Sequence, residues 1–128
     1  MIQPNELRIG NWYSFADYHG IAYRQVKQIK PNEFGLLSDY DGVNFKVCKP
    51  IPLTEEWLIK FGFHYSDDDN EFLELELMRK IKLYADNSNN FSTVVLRLKE
   101  NEIEIKSVHQ LQNLYFALTG KELKRTNN

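Results

Sequence analysis

The segment Ser107–Gly120 constrains this chain most, because it is a helix specified at both ends. Ser107 is a good N-cap, and Gln110, three residues on, completes a capping box in which each side chain satisfies a backbone donor of the other residue. Gly120 follows the last apolar residue, at a position where left-handed backbone costs a glycine almost nothing. Between these caps Leu111, Leu114, Tyr115 and Leu118 repeat at i, i+3, i+4 and i+7, so one stripe must be covered. A helix of this length is marginal alone in water. The chain has to supply a surface for it to lie on, and most of what precedes it reads as strand.

Residues 8–53 read as short strands parted by turns. Arg8–Phe15 is a strand that opens through Gly10. Asp17-Tyr18-His19-Gly20 turns into a longer strand, Ile21–Ile29, anchored on Ile21, Tyr23, Val26 and Ile29. Val26 falls out of phase with its odd-numbered partners, and a bulge would reconcile them. Pro31-Asn32-Glu33 turns into Phe34–Leu37, and Asp39–Gly42 turns into Val43–Val47, with Val43, Phe45 and Val47 on one face. Turns every ~10 residues predict a small, bent, β-barrel-like lobe of SH3-like scale over residues 1–53.

Lys49-Pro50-Ile51-Pro52-Leu53 cannot be a central strand, since two prolines remove two ladder donors, so it is a stiff connector. Thr54 then caps a helix over 55–61, with Glu55 and Glu56 at its positive end and Leu53 and Leu58 placed as a hydrophobic staple. Gly62 stops it, and Phe63 is set to fold back onto Leu58 in a Schellman motif. After a polar loop at 65–70, Leu73, Leu75, Leu77, Ile81 and Leu83 alternate with Glu74, Glu76, Lys80 and Lys82. One long strand through 72–84 fits this pattern, and so does a hairpin. Opposed acidic and basic faces favour the hairpin, whereas Met78-Arg79 is a poor two-residue turn. Strands carrying Val94, Leu96 and Leu98, then Ile103 and Ile105, lead into the final helix, and the tail from Lys124 to Asn128 is expected to fray. Residues 54–128 are thus predicted as a helix, an antiparallel meander of three or four strands, and a C-terminal helix packed on it. The fold class is α+β.

Composition narrows the function classes. The 128 residues are 42% apolar and 13% aromatic, enough for a folded core. Sixteen basic and 18 acidic residues leave a formal net charge of −2, which argues against a broad electrostatic grip on nucleic acid. A single cysteine, Cys48, excludes an internal disulfide framework. No apolar run approaches the ~20 residues of a membrane span, and the N-terminus lacks the order of a signal peptide. The expected location is the cytoplasm.

Chemistry-bearing residues are sparse. His19, His64 and His109 are far apart, Cys48 has no partner cysteine, and no metal-ligand spacing exists. Asp67-Asp68-Asp69-Asn70-Glu71 lacks the alternating ligands and glycine of a calcium loop and reads as a solvated acidic turn. There is no nucleophile elbow and no glycine-rich phosphate loop. Cys48 reads as a small apolar residue, and His109, near a helix N-terminus, is expected to be neutral. The expectation is therefore a protein that is not an enzyme and holds no cofactor or metal. The candidate binding residues are Trp12, Tyr13 and Tyr23 with Arg24 and Lys27, which together could stack and neutralise single-stranded nucleic acid. Phe116, off the stripe of the last helix, is a candidate for contact with a protein partner or a second copy.

Three stretches carry a resemblance. Glu6-Leu7-Arg8-Ile9-Gly10-Asn11-Trp12, Pro50–Glu56 with Phe61-Gly62-Phe63, and Val108–Leu123 resemble, in the same order, a family of small uncharacterised proteins of bacteriophages and prophages. The resemblance spans nearly the whole chain. It implies an origin and a host-cytoplasm location, and it brings no activity or catalytic residues. The expected function is a non-enzymatic phage accessory protein that binds a protein partner. The rival is a nucleic-acid-binding accessory protein acting through the first lobe.

Overall fold

Among the described residues ladder contacts sort the strands into three antiparallel sheets, and the chain divides into two compact units, Met1–Ile51 and Pro52–Asn128. The computed structural model describes residues 7–17, 20–27, 29–31, 37–40, 43–44, 48–66, 70–78, 81–98 and 101–126. The fold is α+β, mostly strand, and closes on a helix.

In the first unit β1 (Trp12–Asp17) pairs with β2 (Gly20–Gln25), Trp12 opposite Gln25 and Asp17 opposite Gly20. Gly10, at φ 100°, is the third residue of a turn closed by the Asn11 N–H donating to the Arg8 carbonyl at 3.0 Å. A type II turn requires positive φ there, which is why β1 starts at Trp12 and not at Arg8. The Gly10 N–H then donates to the Val26 carbonyl (2.8 Å), and the Val26 N–H to the Asn11 carbonyl (2.7 Å). Two residues face one, a bulge. The irregularity that Val26's phase required therefore lies on the opposite segment, and β2 ends at Gln25 without running on to Ile29. The anchors change accordingly: Val26 is buried, but Ile21 and Tyr23 are exposed.

Tyr13, Val26, Leu7 and Cys48 form the core of this unit, with Phe15 and Ile29 packed against it. Lys49 bridges Ser14 on the other edge of β1, exchanging two backbone hydrogen bonds of 2.7 and 2.9 Å. A second sheet runs β3 (Ile29–Pro31), β4 (Leu37–Tyr40), β5 (Val43–Asn44). Asp39 and Tyr40, expected in a turn, are strand residues opposite Asn44 and Val43. Among the described residues the unit forms two separate ladders and no closed barrel. The expected strand residues 34–36 and 45–47 and turn residues 18–19 and 32–33 lie outside the described residues.

The second unit opens on α1 (Glu55–Lys60), whose first turn is capped by Thr54 Oγ1 accepting from the Trp57 N–H at 3.2 Å. At the other end the Gly62 N–H donates to the Ile59 carbonyl and the Phe63 N–H to the Leu58 carbonyl, both at 3.0 Å. These are the paired bonds of a Schellman motif, with Gly62 at φ 100°. Leu53, Leu58 and Phe63 are buried, as the staple and the stop require.

Five strands follow as a meander: β6 (His64–Tyr65), β7 (Phe72–Met78), β8 (Ile81–Asp86), β9 (Val94–Leu98) and β10 (Asn101–Ile105). β7 and β8 are a hairpin, with Met78 opposite Ile81 and a register shift between Glu76 and Met78. Met78, expected in a Met78-Arg79 turn, is thus a strand residue, and residues 79–80 lie outside the described residues. β6 is the strand that takes the sheet past the expected three or four. Tyr65, assigned to a polar loop by its neighbours, is held by its edge-on ring contact to Phe91 (6.5 Å) and its hydroxyl bond to Glu55. On the inner face Leu73, Ala85, Val94 and Ile105 make one cross-strand row, and Leu75, Leu83, Leu96 and Ile103 the next.

α2 (Val108–Thr119) lies against β7 and ends at Gly120, φ 73°, whose N–H donates to the Phe116 carbonyl at 2.8 Å. Its expected capping box is not made. Ser107 Oγ lies 3.3 Å from Nδ1 of the buried His109, and Gln110 Oε1 accepts from the Lys106 N–H at 3.4 Å. The buried stripe also differs from the expected one. Val108, Leu111 and Gln112 are fully buried, whereas Leu114, Tyr115 and Leu118 are half-buried. The sequence 108, 111, 112, 115 is itself an i, i+3, i+4, i+7 stripe, concealed by the polar Gln112. Nor does the tail fray before Thr126. Leu123 is buried, the Arg125 guanidinium stands 4.3 Å from the Trp57 ring centroid, and the Thr126 N–H donates to the Lys60 carbonyl at 2.7 Å. That carbonyl is one of the acceptors a helix end leaves unpaired. Among the described residues no helix is long and apolar enough to cross a membrane.

Candidate functional site

The β1–β2 ribbon sorts the candidate residues by face. Residues directly opposite in an antiparallel pair share a face, and successive residues alternate. Tyr13, Phe15, Ala22 and Arg24 therefore lie on one side, and Trp12, Ser14, Ala16, Ile21, Tyr23 and Gln25 on the other. The first side is the core side. Tyr13 is fully buried, its ring 6.3 Å from that of Phe15, and the Arg24 guanidinium lies 4.7 Å from the Phe15 ring centroid. Arg24 thus covers the edge of the core with its own cation.

The second side is open. Ile21 is 75% exposed, Tyr23 is 53% exposed, and Trp12 is partly covered. Trp12 faces Gln25, and Tyr23 faces Ser14, so the two aromatics are diagonal neighbours across the ribbon. Such neighbours stand about 7–8 Å apart, within reach of large rings. The Gln25 amide donates to the Gly10 carbonyl at 2.9 Å and ties this face to the turn that starts β1. Asn11, inside that turn, is fully buried: its Oδ1 accepts from the Arg8 N–H at 2.6 Å, and its Nδ2 has no hydrogen-bond partner among the described residues.

Of the six candidates from the sequence, the structure brings Trp12 and Tyr23 onto one face. Tyr13 is a core residue and Arg24 points to the opposite face. Lys27 is exposed just past Val26, the residue that faces the bulge, and Phe116 is partly exposed on the last half of α2, in the second unit. Ile21 is the residue that sequence reasoning misplaced: an isoleucine in an alternating strand reads as core, and only the bulge position turns it outward.

Groups able to do chemistry are placed within each unit as follows. Cys48 is buried in the first unit's core. His64 pairs with Glu74 at the sheet edge (3.5 Å), and His109 is buried beside Ser107. His19 and Asp67–Asp69 lie outside the described residues. Among the described residues no cluster of three or more His, Cys, Asp or Glu could hold a metal ion. Two titrations beside α1 are displaced. The Tyr65 hydroxyl donates to Glu55 Oε1 at 2.6 Å, and that bond raises its pKa. The hydrogen bond from Lys60 lowers that of Glu56. Both groups are structural, flanking α1.

Compared with known proteins, the chain matches no family model, no curated protein and no solved structure.

Proposed function

We propose that this protein is a non-enzymatic accessory protein of phage or prophage origin that docks a protein partner through the outer face of the β1–β2 ribbon. In this reading it acts in the host cytoplasm, and its first unit is an SH3-like module. The observation that carries the proposal is the shared exposure of Ile21 and Tyr23 on the face that also holds Trp12. Tyrosine and tryptophan dominate the energetics of protein interfaces, and an isoleucine open to water beside them gains on being covered. Five strands among the described residues of the first unit match the size of small barrels and support the SH3-like reading.

The nucleic-acid rival is the weaker one for a geometric reason. Stacking platforms set cations beside the aromatics, but Arg24 sits on the face away from Trp12 and Tyr23. The net charge of −2 points the same way.

The test compares the wild-type chain with Ile21→Glu and Tyr23→Ser for capture of proteins from bacterial lysate, with circular dichroism melting as the control for folding. Specific capture lost in both variants supports the proposal, and capture that ignores both substitutions overturns it. In parallel, fluorescence anisotropy with a labelled single-stranded oligonucleotide at low ionic strength addresses the rival. Binding with a steep salt slope, weakened by Arg24→Gln and Lys27→Gln, would put the nucleic-acid reading in its place.

A further inference from the structure

The second unit carries a separate site on the face of its sheet opposite the Leu73, Leu83 and Leu96 rows. Ser66, Phe72, Tyr84 and Arg97 line a depression of about 310 Å³ there. The register explains why these four meet. The Ser66 N–H donates to the Phe72 carbonyl at 3.0 Å, placing Ser66 beside Phe72. Phe72 faces Asp86, two residues from Tyr84, and Tyr84 faces Val95, two residues from Arg97. The last two steps are each one diagonal across neighbouring strands, so the four side chains form a track from the residue after β6 across β7 and β8 to β9.

The chemistry of the track is specific. Phe72 and Tyr84 are 38% and 37% exposed, so two aromatic rings border the depression with part of their surface open. Arg97 Nε donates to Glu102 at 3.1 Å, and a guanidinium has five donors. That pair orients the guanidinium and uses the Nε donor. Ser66 Oγ lies 3.5 Å from the Phe72 carbonyl oxygen, too long to hold its hydroxyl firmly. The surroundings are acidic: Glu74, Glu76, Asp86, Glu102 and Glu104 share this face, against Lys82 and Arg97. Glu74 is already shared between Lys82 (3.6 Å) and His64 (3.5 Å). A dianionic phosphate or a polyanionic strand meets repulsion here, whereas one carboxylate can be taken by Arg97. The depression is at the small end of the ~300–1,000 Å³ range of ligand pockets, room for one or two fused rings.

We infer that Ser66, Phe72, Tyr84 and Arg97 form a binding site for a planar aromatic monocarboxylate. The ring lies between Phe72 and Tyr84, the carboxylate accepts from the Arg97 guanidinium, and Ser66 donates its hydroxyl at the far end. The site belongs to the second unit, and the inference does not rest on the ribbon reading.

The experiment titrates the ¹⁵N-labelled full chain with 1-naphthoate, with its neutral counterpart 1-naphthalenemethanol, and with adenosine monophosphate. The expected result is a saturating shift of the Ser66, Phe72, Tyr84 and Arg97 amides with naphthoate. Arg97→Gln and the neutral counterpart each weaken binding about tenfold, the size of a lost charge-assisted contact. Arg97 is 71% exposed, so Arg97→Gln leaves the fold intact, and Tyr84→Ser gives an independent loss through the ring. Shifts that do not saturate, or that map elsewhere, overturn the site. Unchanged affinity in Arg97→Gln, or adenosine monophosphate binding as tightly as naphthoate, overturns the assignment of ligand class.

Discussion

Gly62 and Phe91 both hold positive φ, 100° and 57°, for opposite reasons. At Gly62 the left-handed backbone is what lets two hydrogen bonds close α1, and a Cβ there would meet only Leu75 Cδ1 at an ordinary 3.9 Å. Space is therefore not the obstacle to Gly62→Ala; conformation is. The substitution should destabilise the chain by about 1–2 kcal/mol, seen as a lower urea midpoint at unchanged slope. At Phe91 a bulky residue adopts a conformation that it rarely takes, held by its buried ring and its N–H bond to the Asp86 carbonyl. Tyr65 provides a pH test. Its hydroxyl donates to Glu55, so the folded state favours the protonated phenol. The stability this bond contributes is present at neutral pH. It is lost as pH rises from the ordinary phenol range through the raised folded value. An absorbance titration should show one tyrosine ionising late, and Tyr65→Phe should remove both that phase and the corresponding alkaline loss of stability.

At the scale of elements, legibility follows the range of the cause. α1 could be read in full because Thr54, Gly62 and Phe63 act within a few residues of the helix they delimit. The pattern at 72–84 favours the β7–β8 hairpin only slightly over one long strand, since the decisive fact is a pairing, Glu76 with Lys82 and Leu75 with Leu83, that alternation alone cannot assign. The phase of β2 is set by Gly10 and Asn11 on the other segment, so alternation along β2 alone takes Ile21 as an anchor where the structure exposes it. The candidate site was legible in its residue types but not in its faces: Trp12, Tyr13, Tyr23 and Arg24 are close in sequence, and register separates them into two pairs. α2 shows how one polar residue hides a stripe, since Gln112 lies in the buried row. A direct comparison checks this. Leu111→Ala, at a fully buried position, should cost about 2–5 kcal/mol, and Leu118→Ala, half-buried, less than half of that. Equal losses in chemical denaturation would restore the stripe through Leu114 and Leu118.

At the scale of the whole molecule, the second unit contains the means to fold alone. The inner rows of the five-stranded sheet, both helices and the tail all belong to Pro52–Asn128. Its long-range backbone bonds close inside it too: the Leu53 N–H reaches the Lys106 carbonyl at 3.3 Å, and the Thr126 N–H reaches the Lys60 carbonyl. A chain below ~80 residues rarely draws more than about 3–5 kcal/mol from one hydrophobic core, so the fragment 52–128 should be folded but modest in stability. Trp57 is its single tryptophan and reports on α1 and the tail together, since the Arg125 guanidinium lies over its ring. The fragment should unfold in one cooperative step by Trp57 fluorescence, with the Leu83, Leu96 and Leu111 amides protected from hydrogen exchange. Arg125→Ala should shift that fluorescence and lower stability by about 0.5–1 kcal/mol, the worth of an exposed cation over an aromatic ring. A fragment without a cooperative transition would mean that residues 1–51 are needed to complete its core. Arg125→Ala with unaltered fluorescence would mean that the tail is not held on α1.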